Sequence, residues 1–428
     1  MNLIQLHDYF KDSSGVVTDS RKLTQDCFFV ALRGENYDGN QFAKAAIDSG
    51  AKYALVDRPE IAKKNKRLIL VKNTLQSLQE LAQYHRKNIK AKIIALTGSN
   101  GKTTTKELIR SVLTQKFNTK ATRENFNNHI GVPLTLLDLD EKTEIGIVEM
   151  GANHRREIDF LCQLAQPDIG LITNFGQAHL EGFGGIEGVI QGKCEMYEYL
   201  SKSGGTIILN IDDSLQRKWI SYDHHFTFGE DKSADCCVKY LKRKHKPLAL
   251  TVEKKKIESQ LYGEYNFSNI GTAVALGNFF DMNIEHIKEG INSYASNNNR
   301  SQSIIKGKNR ITLDAYNANP SSMKASITSF ISNKKNKGSV ILGDMFELGT
   351  FTDKAHQEIL DQLKHTDLES ILIVGEHFFK TQSIDPRVHS FQTIEEIKNH
   401  LIKNPFKETD ILIKGSRGVA METLLDYL

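Results

Sequence analysis

The sequence has no long apolar stretch, no strong charge of either sign and no CxxC cysteine pair, and each absence excludes a class of protein. No apolar run approaches the roughly 18 residues that a membrane-spanning helix needs. The net charge is only +4 over 428 residues, which argues against a dedicated nucleic-acid surface. The first residues, MNLIQLHDYFKD, contain acids where a signal peptide has a basic and then an apolar segment. We therefore expect neither a membrane span nor a nucleic-acid partner.

What is present is the composition of an ordinary globular protein, with 39% apolar and 25% charged residues. A chain of 428 residues exceeds what one hydrophobic core usually serves, so two or three domains are expected. The cysteines number five, an odd count, and they fit a reduced compartment better than a disulfide framework. The expected location is the cytoplasm.

Strand-like apolar runs alternate with helix-like segments, a pattern typical of α/β architecture with parallel sheets. We predict three domains: a small mixed N-terminal domain over 1–88, a central doubly wound parallel sheet with a P-loop over 89–299, and a C-terminal Rossmann-like domain over 300–428. A helix is predicted over 72–88 and a linker over 296–302. The predicted strands of the central and C-terminal domains cover 92–96, 145–150, 168–173, 205–210, 311–316, 339–344, 370–376 and 410–416.

The segment ALTGSNGKTTTKELIRSVL, residues 95–113, resembles a phosphate-binding loop of unusual length. The common form, G-x-x-x-x-G-K-[ST], would place its first glycine at Leu96, whereas the glycine stands at Gly98. A strand precedes the loop and a helical pattern follows from Lys102, so a helix N-terminus is expected to attract phosphate. Lys102 can pair with the β- and γ-phosphates and Thr103 can bind Mg²⁺. The alternative is a plain strand-to-helix turn. The loop alone does not distinguish a kinase, a motor, a switch or a ligase.

Three further residues are candidates for the chemistry. Glu149 ends a buried strand, where carboxylates lie beside the ligand crevice of a parallel sheet. His179 follows the next strand on a Gly-rich loop, although a loop histidine is more often a solvated or structural residue. Lys193 lies in a helical pattern, and from the sequence alone it would be interpreted as a surface charge.

These elements occur within segments that resemble the Mur ligases, the family that builds the peptide of peptidoglycan. The segments follow one another along almost the whole chain: ALTGSNGKTTTK (95–106), RENFNNHIGVPLTLL (123–137), VEMGANHRREIDFL (148–161), ITNFGQAHLEGFGG (172–185), YGEYNFSNIGTAVAL (262–276), LDAYNANPSSM (313–323), GDMFELG (343–349) and IKGSRGVAME (413–422). Before the loop, the segment 18–42 resembles the family's uridine-diphosphate-binding region. The shortened loop is normal in this family.

The resemblance implies roles for individual residues. The implied catalytic residues are Lys102, Lys193 and His179. The implied ligands of two Mg²⁺ ions are Thr103, Glu149, His179 and Lys193, the last as a carbamate. The implied ATP-binding residues are Gly98, Ser99, Asn100, Gly101, Lys102, Thr103, Thr104, Asn266, Asn269, Arg300, Asp314 and Tyr316. The implied substrate-binding residues are Ser20 and Arg21 for the sugar nucleotide, Asn127 and Asn128 for the muramyl peptide, and Asn317, Asn319 and Arg417 for the incoming dipeptide. The alternative roles are helix capping for Asn266 and Asn269, and a linker charge for Arg300. For Tyr316 the alternative is core packing, and for the NAN stretch (317–319) it is the formation of a turn.

The implied activity is an ATP-dependent ligase reaction. The segments EMGANH, DAYNANP, GDMFELG and KGSRGVAME favour D-alanyl-D-alanine as the acceptor and UDP-N-acetylmuramoyl-tripeptide as the donor, with an acyl phosphate between them. The expected cofactors are ATP, two Mg²⁺ ions and the Lys193 carbamate, and the expected state is a monomer. Three alternatives remain open: an amide ligase of this family with another acceptor, a non-catalytic nucleotide-binding partner protein, and a P-loop kinase.

Overall fold

Three large sheets organise the chain in this computed structural model, which describes residues 2–63 and 65–428, and a fourth sheet has only two short strands. We refer to the parts built on them as the N-terminal, central and C-terminal domains. All three combine strands and helices, so the predicted three-domain α/β architecture is confirmed. Within the described ranges, none of the helices is long and apolar enough to cross a membrane.

The N-terminal domain has a four-stranded parallel sheet in the order β1-β2-β5-β6. Its elements are α1 (Leu3–Lys11), β1 (Val16–Val17), β2 (Phe28–Val30), β3 (Arg33–Gly34), β4 (Tyr37–Asp38), α2 (Ala43–Asp48), β5 (Tyr53–Val56), α3 (Pro59–Ala62), β6 (Leu68–Leu70) and α4 (Thr74–Asn88). Helix α4 begins after Asn73, whose side chain accepts a hydrogen bond from the Gln76 amide and so caps the first turn. The predicted helix over 72–88 is confirmed.

A buried histidine pair joins α1 to α4. His85 Nε2 lies 2.9 Å from the Leu139 carbonyl oxygen, which can only accept, so this nitrogen carries the proton. His85 Nδ1 must then accept from His7 Nε2, 3.1 Å away. Burial lowers the pKa of both imidazoles, because a charged ring would lose water there.

The central domain has a nine-stranded sheet in the order β15-β14-β13-β12-β11-β10-β7-β9-β8. Its elements are β7 (Lys92–Thr97), α5 (Lys102–Leu113), β8 (Thr119–Ala121), α6 (Gly131–Leu137), β9 (Ile145–Glu149), α7 (Glu157–Ala165), β10 (Ile169–Ile172), α8 (Leu180–Phe183), α9 (Ile186–Ser203), β11 (Thr206–Asn210), β12 (His225–Gly229), β13 (Cys236–Leu241), β14 (Ala249–Val252), β15 (Lys255–Glu258), α10 (Asn266–Phe279) and α11 (Ile284–Ser293). Seven adjacent strands of this sheet run parallel, in the order β13-β12-β11-β10-β7-β9-β8, which confirms the parallel sheet predicted for this domain. Strands β14 and β15 add an antiparallel edge that the sequence analysis did not predict.

The C-terminal domain has a six-stranded sheet in the order β16-β17-β21-β18-β19-β20, parallel except for the β16–β17 hairpin. Its elements are β16 (Gln302–Lys306), β17 (Asn309–Asp314), α12 (Pro320–Asn333), β18 (Lys337–Gly343), α13 (Thr352–Leu363), β19 (Leu368–Val374), α14 (Glu376–Phe379), β20 (Val388–Phe391), α15 (Ile394–Lys403) and β21 (Thr409–Lys414). The alternation of strand-like and helix-like segments predicts a helix after β21 as well, but 3₁₀ turns over Arg417–Val419 and Met421–Tyr427 stand there.

Strand β7 pairs with β9 on one side and β10 on the other, all parallel. Their carboxyl ends therefore meet at one edge of the sheet, where ligands bind in open α/β folds. The phosphate-binding candidate follows β7, Glu149 is the last residue of β9, and His179 lies on the loop after β10. The fold thus brings these residues to one edge.

Candidate active site

The loop between β7 and α5 requires glycine at two positions. Gly98 has φ +145°, and a Cβ there would lie 2.0 Å from Thr173 Oγ1. Gly101 has φ +78°, and a Cβ there would lie 2.6 Å from Asn269 Oδ1. Both residues combine a left-handed backbone with a close approach, which other residue types cannot adopt without strain. The two glycines that identified the loop in the sequence therefore shape it.

Lys102, the first residue of α5, folds back over this loop. Its Nζ donates a hydrogen bond of 2.7 Å to the Gly98 carbonyl oxygen. Burial lowers the pKa of the Lys102 amine, the Glu149 carboxylate raises it, and the Arg300 cation lowers it further. The loop thus presents a helix N-terminus and an ammonium group together, which suits a phosphate group.

Glu149, at the end of β9, has one oxygen engaged and one without a partner. Its Oε1 accepts hydrogen bonds from Thr103 Oγ1 at 3.3 Å and from Asn127 Nδ2 at 2.9 Å. Its Oε2 is buried and forms no hydrogen bond with any described residue. A buried carboxylate oxygen without a partner is costly, and a bound cation would satisfy it. The adjoining Thr103 hydroxyl supplies a second oxygen of the type that Mg²⁺ prefers.

Lys193 is not the surface charge that its helical pattern suggested. Its side chain on α9 is only 1% exposed. The amine has one long hydrogen bond, 3.4 Å to the Ala152 carbonyl oxygen, and lies 5.0 Å from the centre of the Phe183 ring. Burial, followed by the charge of Lys102, lowers the pKa of this amine well below its usual range. The site therefore holds a buried lysine whose neutral form is favoured more than that of an exposed lysine.

His179 begins the short helix α8 with a left-handed backbone, φ 53°. Its Nδ1 contacts the carboxylate of Glu347, which belongs to the C-terminal domain. This imidazole lowers the pKa of the Glu347 carboxyl group. Among the residues that the structure describes, no three His, Cys, Asp or Glu side chains are close enough to hold a metal ion. A metal set built on Glu149 and His179 would need other kinds of ligand, and Thr103 and a carbamate on Lys193 stay the predicted ones.

The asparagines at the start of α10 are buried and linked to the loop helix. Asn269 Oδ1 accepts a hydrogen bond from Thr105 Oγ1 at 3.0 Å, and its Nδ2 donates to Asn266 Oδ1 at 2.9 Å. Asn266 Nδ2 donates to the Tyr262 carbonyl oxygen at 2.8 Å. The residue that precedes α10 is Tyr265, so neither asparagine is its N-cap.

The linker side of the site is formed by stacked and paired cations. The Arg300 guanidinium lies over the Tyr316 ring, 3.7 Å from its centre, and that of Arg417 lies 5.5 Å from the same centre. Asp314 Oδ2 accepts hydrogen bonds of 2.6 Å from the buried Lys414 amine and 2.9 Å from Ser326 Oγ. The Arg300 guanidinium would have to move off this face of the Tyr316 ring before adenine could stack on it.

Most of the predicted residues share one cavity of about 800 Å³. Those that line it are Ser99, Asn100, Gly101, Lys102, Thr103, Thr104, Asn127, Asn128, Glu149, His179, Asn266, Asn269, Arg300, Asp314, Tyr316, Asn317 and Asn319. Ser20, Arg21, Gly98 and Lys193 do not line it, and Arg417 lines an adjoining cavity of about 840 Å³. The two cavities share Thr103, Asn125, Arg300 and Tyr316.

The predicted substrate residues have contacts of their own. Asn128 Oδ1 accepts from the Gly131 amide at 2.9 Å, and Asn317 Oδ1 accepts from the Ala318 amide at 2.9 Å. Arg21 pairs with the Asp19 carboxylate at 2.8 Å and is exposed. The side chain of Asn319 both caps α12 and donates a hydrogen bond to Asn100 in the phosphate-binding loop.

Three residues at the contacts between domains were not singled out by the sequence analysis: Gly176, Ser321 and Glu347. All three lie inside the segments that resemble known ligases, FGQAH, DAYNANPSSM and GDMFELG. The motifs could have indicated that these residues are functional, but their contact partners lie far away along the chain and so have no local pattern.

Comparison with known proteins identifies the same three regions. The profile of the Mur ligase family catalytic domain matches residues 12–86, that of the Mur ligase middle domain 96–277, and that of the Mur ligase glutamate ligase domain 299–417. The chain is similar to the UDP-N-acetylmuramoyl-tripeptide–D-alanyl-D-alanine ligase of Bacillus subtilis, with 33% identity over 437 residues, 97% of this chain and 93% of the relative. The ligase of the same name from Escherichia coli is 32% identical over 96% of this chain and 93% of its own length.

Solved structures show the same likeness in three dimensions. A crystal structure of MurF from Acinetobacter baumannii has a TM-score of 0.87 and 29% identity, and covers 99% of this chain and 98% of that one. MurF ligase from Thermotoga maritima in complex with ADP has a TM-score of 0.85 and 25% identity, covering 98% of this chain and 97% of that one.

Proposed function

The chain belongs to the Mur ligase family, and we propose that it joins D-alanyl-D-alanine to UDP-N-acetylmuramoyl-tripeptide with conversion of ATP to ADP and phosphate. Membership makes it an ATP-dependent amide ligase of peptidoglycan synthesis. The choice of substrates is supported by similarity over 97% of the chain to a ligase of that name. The observation that carries the chemistry is the phosphate-binding loop next to Glu149, whose Oε2 has no hydrogen-bond partner among the described residues, together with the buried amine of Lys193.

The nucleotide would bind with its phosphates at the loop of 98–104. Lys102 and the amides at the start of α5 suit the triphosphate, and the relative from Thermotoga maritima contains ADP. Asn266, Asn269, Arg300, Asp314 and Tyr316 are the proposed contacts of the rest of the nucleotide, and all five line the same cavity.

Thr103, Glu149, His179 and a carbamate on Lys193 would hold two Mg²⁺ ions. When bound, these ions neutralise the negative charges of the triphosphate and of the carboxylate that attacks it. The environment of Lys193 favours the modification, because a neutral amine can attack CO₂, lose a proton to water and become a carboxylate-bearing group. The modification would replace a buried amine that has one long hydrogen bond by an anionic ligand.

In the proposed reaction, the terminal carboxylate of the tripeptide attacks the γ-phosphorus of ATP and releases ADP. The dipeptide amine then attacks the acyl carbon of the acyl phosphate, loses its proton, and phosphate leaves. Lys102 would stabilise the charge of the transferred phosphoryl group. The acyl phosphate must be kept from water, which is a reason for the C-terminal domain to close on the loop.

Recognition of the two peptides is divided among domains in this proposal. Ser20 and Arg21 would contact the sugar nucleotide, and Asn127 and Asn128 the muramyl peptide. For D-alanyl-D-alanine, the proposed contacts remain Asn317, Asn319 and Arg417. We retain 1–88, 89–299 and 300–428 as the proposed division of the chain.

A phosphate-release assay tests the substrates. ATP, UDP-N-acetylmuramoyl-tripeptide and D-alanyl-D-alanine should together give stoichiometric phosphate and the pentapeptide product, and omission of any one should stop the release. Replacement of the dipeptide by single amino acids is the matched control. Turnover with another amine but none with D-alanyl-D-alanine would assign the chain to a different ligase of the family.

A further inference from the structure

The C-terminal domain contacts the phosphate-binding loop through a closed set of side-chain hydrogen bonds. Asn319 Nδ2 donates to Asn100 Oδ1 at 2.8 Å, and Asn100 Nδ2 donates to Ser321 Oγ at 2.9 Å. Ser321 Oγ donates in turn to Asn319 Oδ1 at 2.8 Å and accepts from the Gln177 amide at 3.1 Å. We call Asn100, Asn319 and Ser321 the interdomain cluster. The Ser321 hydroxyl thereby uses its one donor and both of its acceptor positions.

Asn100 cannot move without moving the loop. Its carbonyl oxygen accepts hydrogen bonds from Thr173 Oγ1 at 2.6 Å and from Asn174 Nδ2 at 2.9 Å, and its amide donates to Asn174 Oδ1 at 3.1 Å. The neighbouring Ser99 Oγ donates to the Gly176 carbonyl oxygen at 2.8 Å. The backbone of the loop is therefore fixed to the segment after β10, while the side chain of Asn100 belongs to the contact with the other domain.

The contact is close enough to require a glycine. A Cβ on Gly176 would lie 2.5 Å from both Asn100 Nδ2 and Ser321 Oγ. Gly176 is not among the residues with a left-handed backbone, so alanine is compatible with its conformation. An alanine at this position would force the Asn100 amide and the Ser321 hydroxyl to shift, and would so disturb the cluster without removing any of its polar groups.

We propose that the interdomain cluster couples docking of the C-terminal domain to the conformation of the phosphate-binding loop. Asn100, Asn319 and Ser321 are then positioning residues for the ligase reaction, an inference that rests on the proposed function. Each binding partner in such a linkage affects the other by the same factor. A nucleotide that holds the loop in this conformation therefore favours docking, and docking favours nucleotide binding equally.

The test is hydrogen exchange by mass spectrometry on the full chain, without substrates. Ser321→Ala leaves the donor groups of Asn100 and Gln177 without their acceptor, so protection of the loop peptide 96–104 should fall by about 5- to 150-fold, the usual range for coupled sites. Gly176→Ala should have the same effect from the opposite side. Ser332→Ala, on the exposed face of α12, removes a hydroxyl that donates to the Thr328 carbonyl oxygen of its own helix and has no other partner in the described part of the chain, so it should change nothing at 96–104. Faster exchange confined to 319–323 would mean a local role in starting α12 and would overturn the proposal.

Two further measurements separate this inference from the identity of the substrates. ADP with Mg²⁺ should increase protection at 319–323 in the unmodified chain, and Ser321→Ala should abolish the increase. In the ligase assay, Ser321→Ala should lower kcat with an unchanged KM for the muramyl peptide. Coupled exchange without D-alanyl-D-alanine turnover would leave the cluster's role intact and refute only the proposed function. Turnover with loop exchange that is indifferent to the variants would refute the coupling.

Discussion

Lys193 should reduce the stability of the protein, because its amine is buried with too few partners. The side chain is 1% exposed, and among the described residues its one hydrogen-bond partner is the Ala152 carbonyl oxygen at 3.4 Å. A buried polar group without adequate hydrogen bonds costs about 1–3 kcal/mol in proteins. Lys193→Met keeps an unbranched apolar stem of similar volume in the same space, and such exchanges are well tolerated. We therefore expect Lys193→Met to raise the free energy of unfolding by about 1–3 kcal/mol relative to the chain with an unmodified Lys193, and to abolish ligase activity.

The chain contains a matched control in Lys106, which is equally buried at 1% exposure. Its amine donates to the Thr122 carbonyl oxygen at 2.6 Å and pairs with Glu107 at 2.9 Å. Lys106→Met removes the amine and leaves the Thr122 carbonyl and the Glu107 carboxylate without this partner, so it should destabilise the protein by about 1–3 kcal/mol. The two substitutions are chemically identical, but they should change the free energy of unfolding in opposite directions.

Thermal unfolding followed by circular dichroism in CO₂-free buffer measures both variants. For a domain of 150–250 residues, each kcal/mol shifts the midpoint by about 2–4 °C. The midpoint temperature should be higher in Lys193→Met and lower in Lys106→Met than in the chain without a substitution. If Lys193→Met unfolded as early as Lys106→Met, the amine at 193 would be a structural group and the reasoning would be refuted.

Four other outcomes are expected. Lys193→Ala should abolish turnover, with partial recovery by short carboxylic acids that replace the carbamate; full activity in the variant would refute the carbamate. Lys102→Ala should lose ATP turnover but retain muramyl-peptide binding by calorimetry, and loss of both would indicate a misfolded site. Tyr316→Ala should raise the apparent KM for ATP, and an unchanged value would assign the ring to packing. The lowered pKa values of His7 and His85 mean that the unfolded chain binds more protons, so stability is complete above about pH 6.5 and falls as pH drops through that value. His7→Gln keeps a donor that does not titrate, so it should flatten this decline in urea titrations from pH 5 to 8.

The elements around the phosphate-binding loop could be predicted because their signals are local. The strand predicted over 92–96 is Lys92–Thr97, and the helical pattern that begins at Lys102 is α5, Lys102–Leu113. Glycines at 98 and 101 mark left-handed positions, and the apolar spacing after them defines the buried face of a helix. Short-range backbone requirements of this kind are visible in a single sequence.

The antiparallel edge of the central sheet could not be predicted in the same way. Strand β13 alternates only partly between buried and exposed positions, and β15 has a single buried residue, Ile257. Strands with so few buried positions in alternation have a weak periodic signal in their sequences. Their pairing depends on the hairpin contacts with β14.

The burial of Lys193 was also beyond the sequence, since it depends on residues of other elements. Ala152 follows β9 and Phe183 ends α8, and neither relation has a local pattern in the helix that carries the lysine. The resemblance to a known family assigned a role to this residue, whereas its own helical pattern suggested a solvated charge. Long-range packing thus decides the chemistry of this amine.

The same argument applies to the contacts between domains. Asn319 lies 219 residues after its partner Asn100, and Glu347 comes from the C-terminal domain to His179. Both central-domain partners stand on loops that follow neighbouring strands, β7 and β10, at the edge of the sheet where the cavity lies. The C-terminal domain therefore touches the two loops that carry the proposed phosphate and metal ligands. Any separation of the domains must break contacts made by these loops, so domain docking and assembly of the site depend on the same residues.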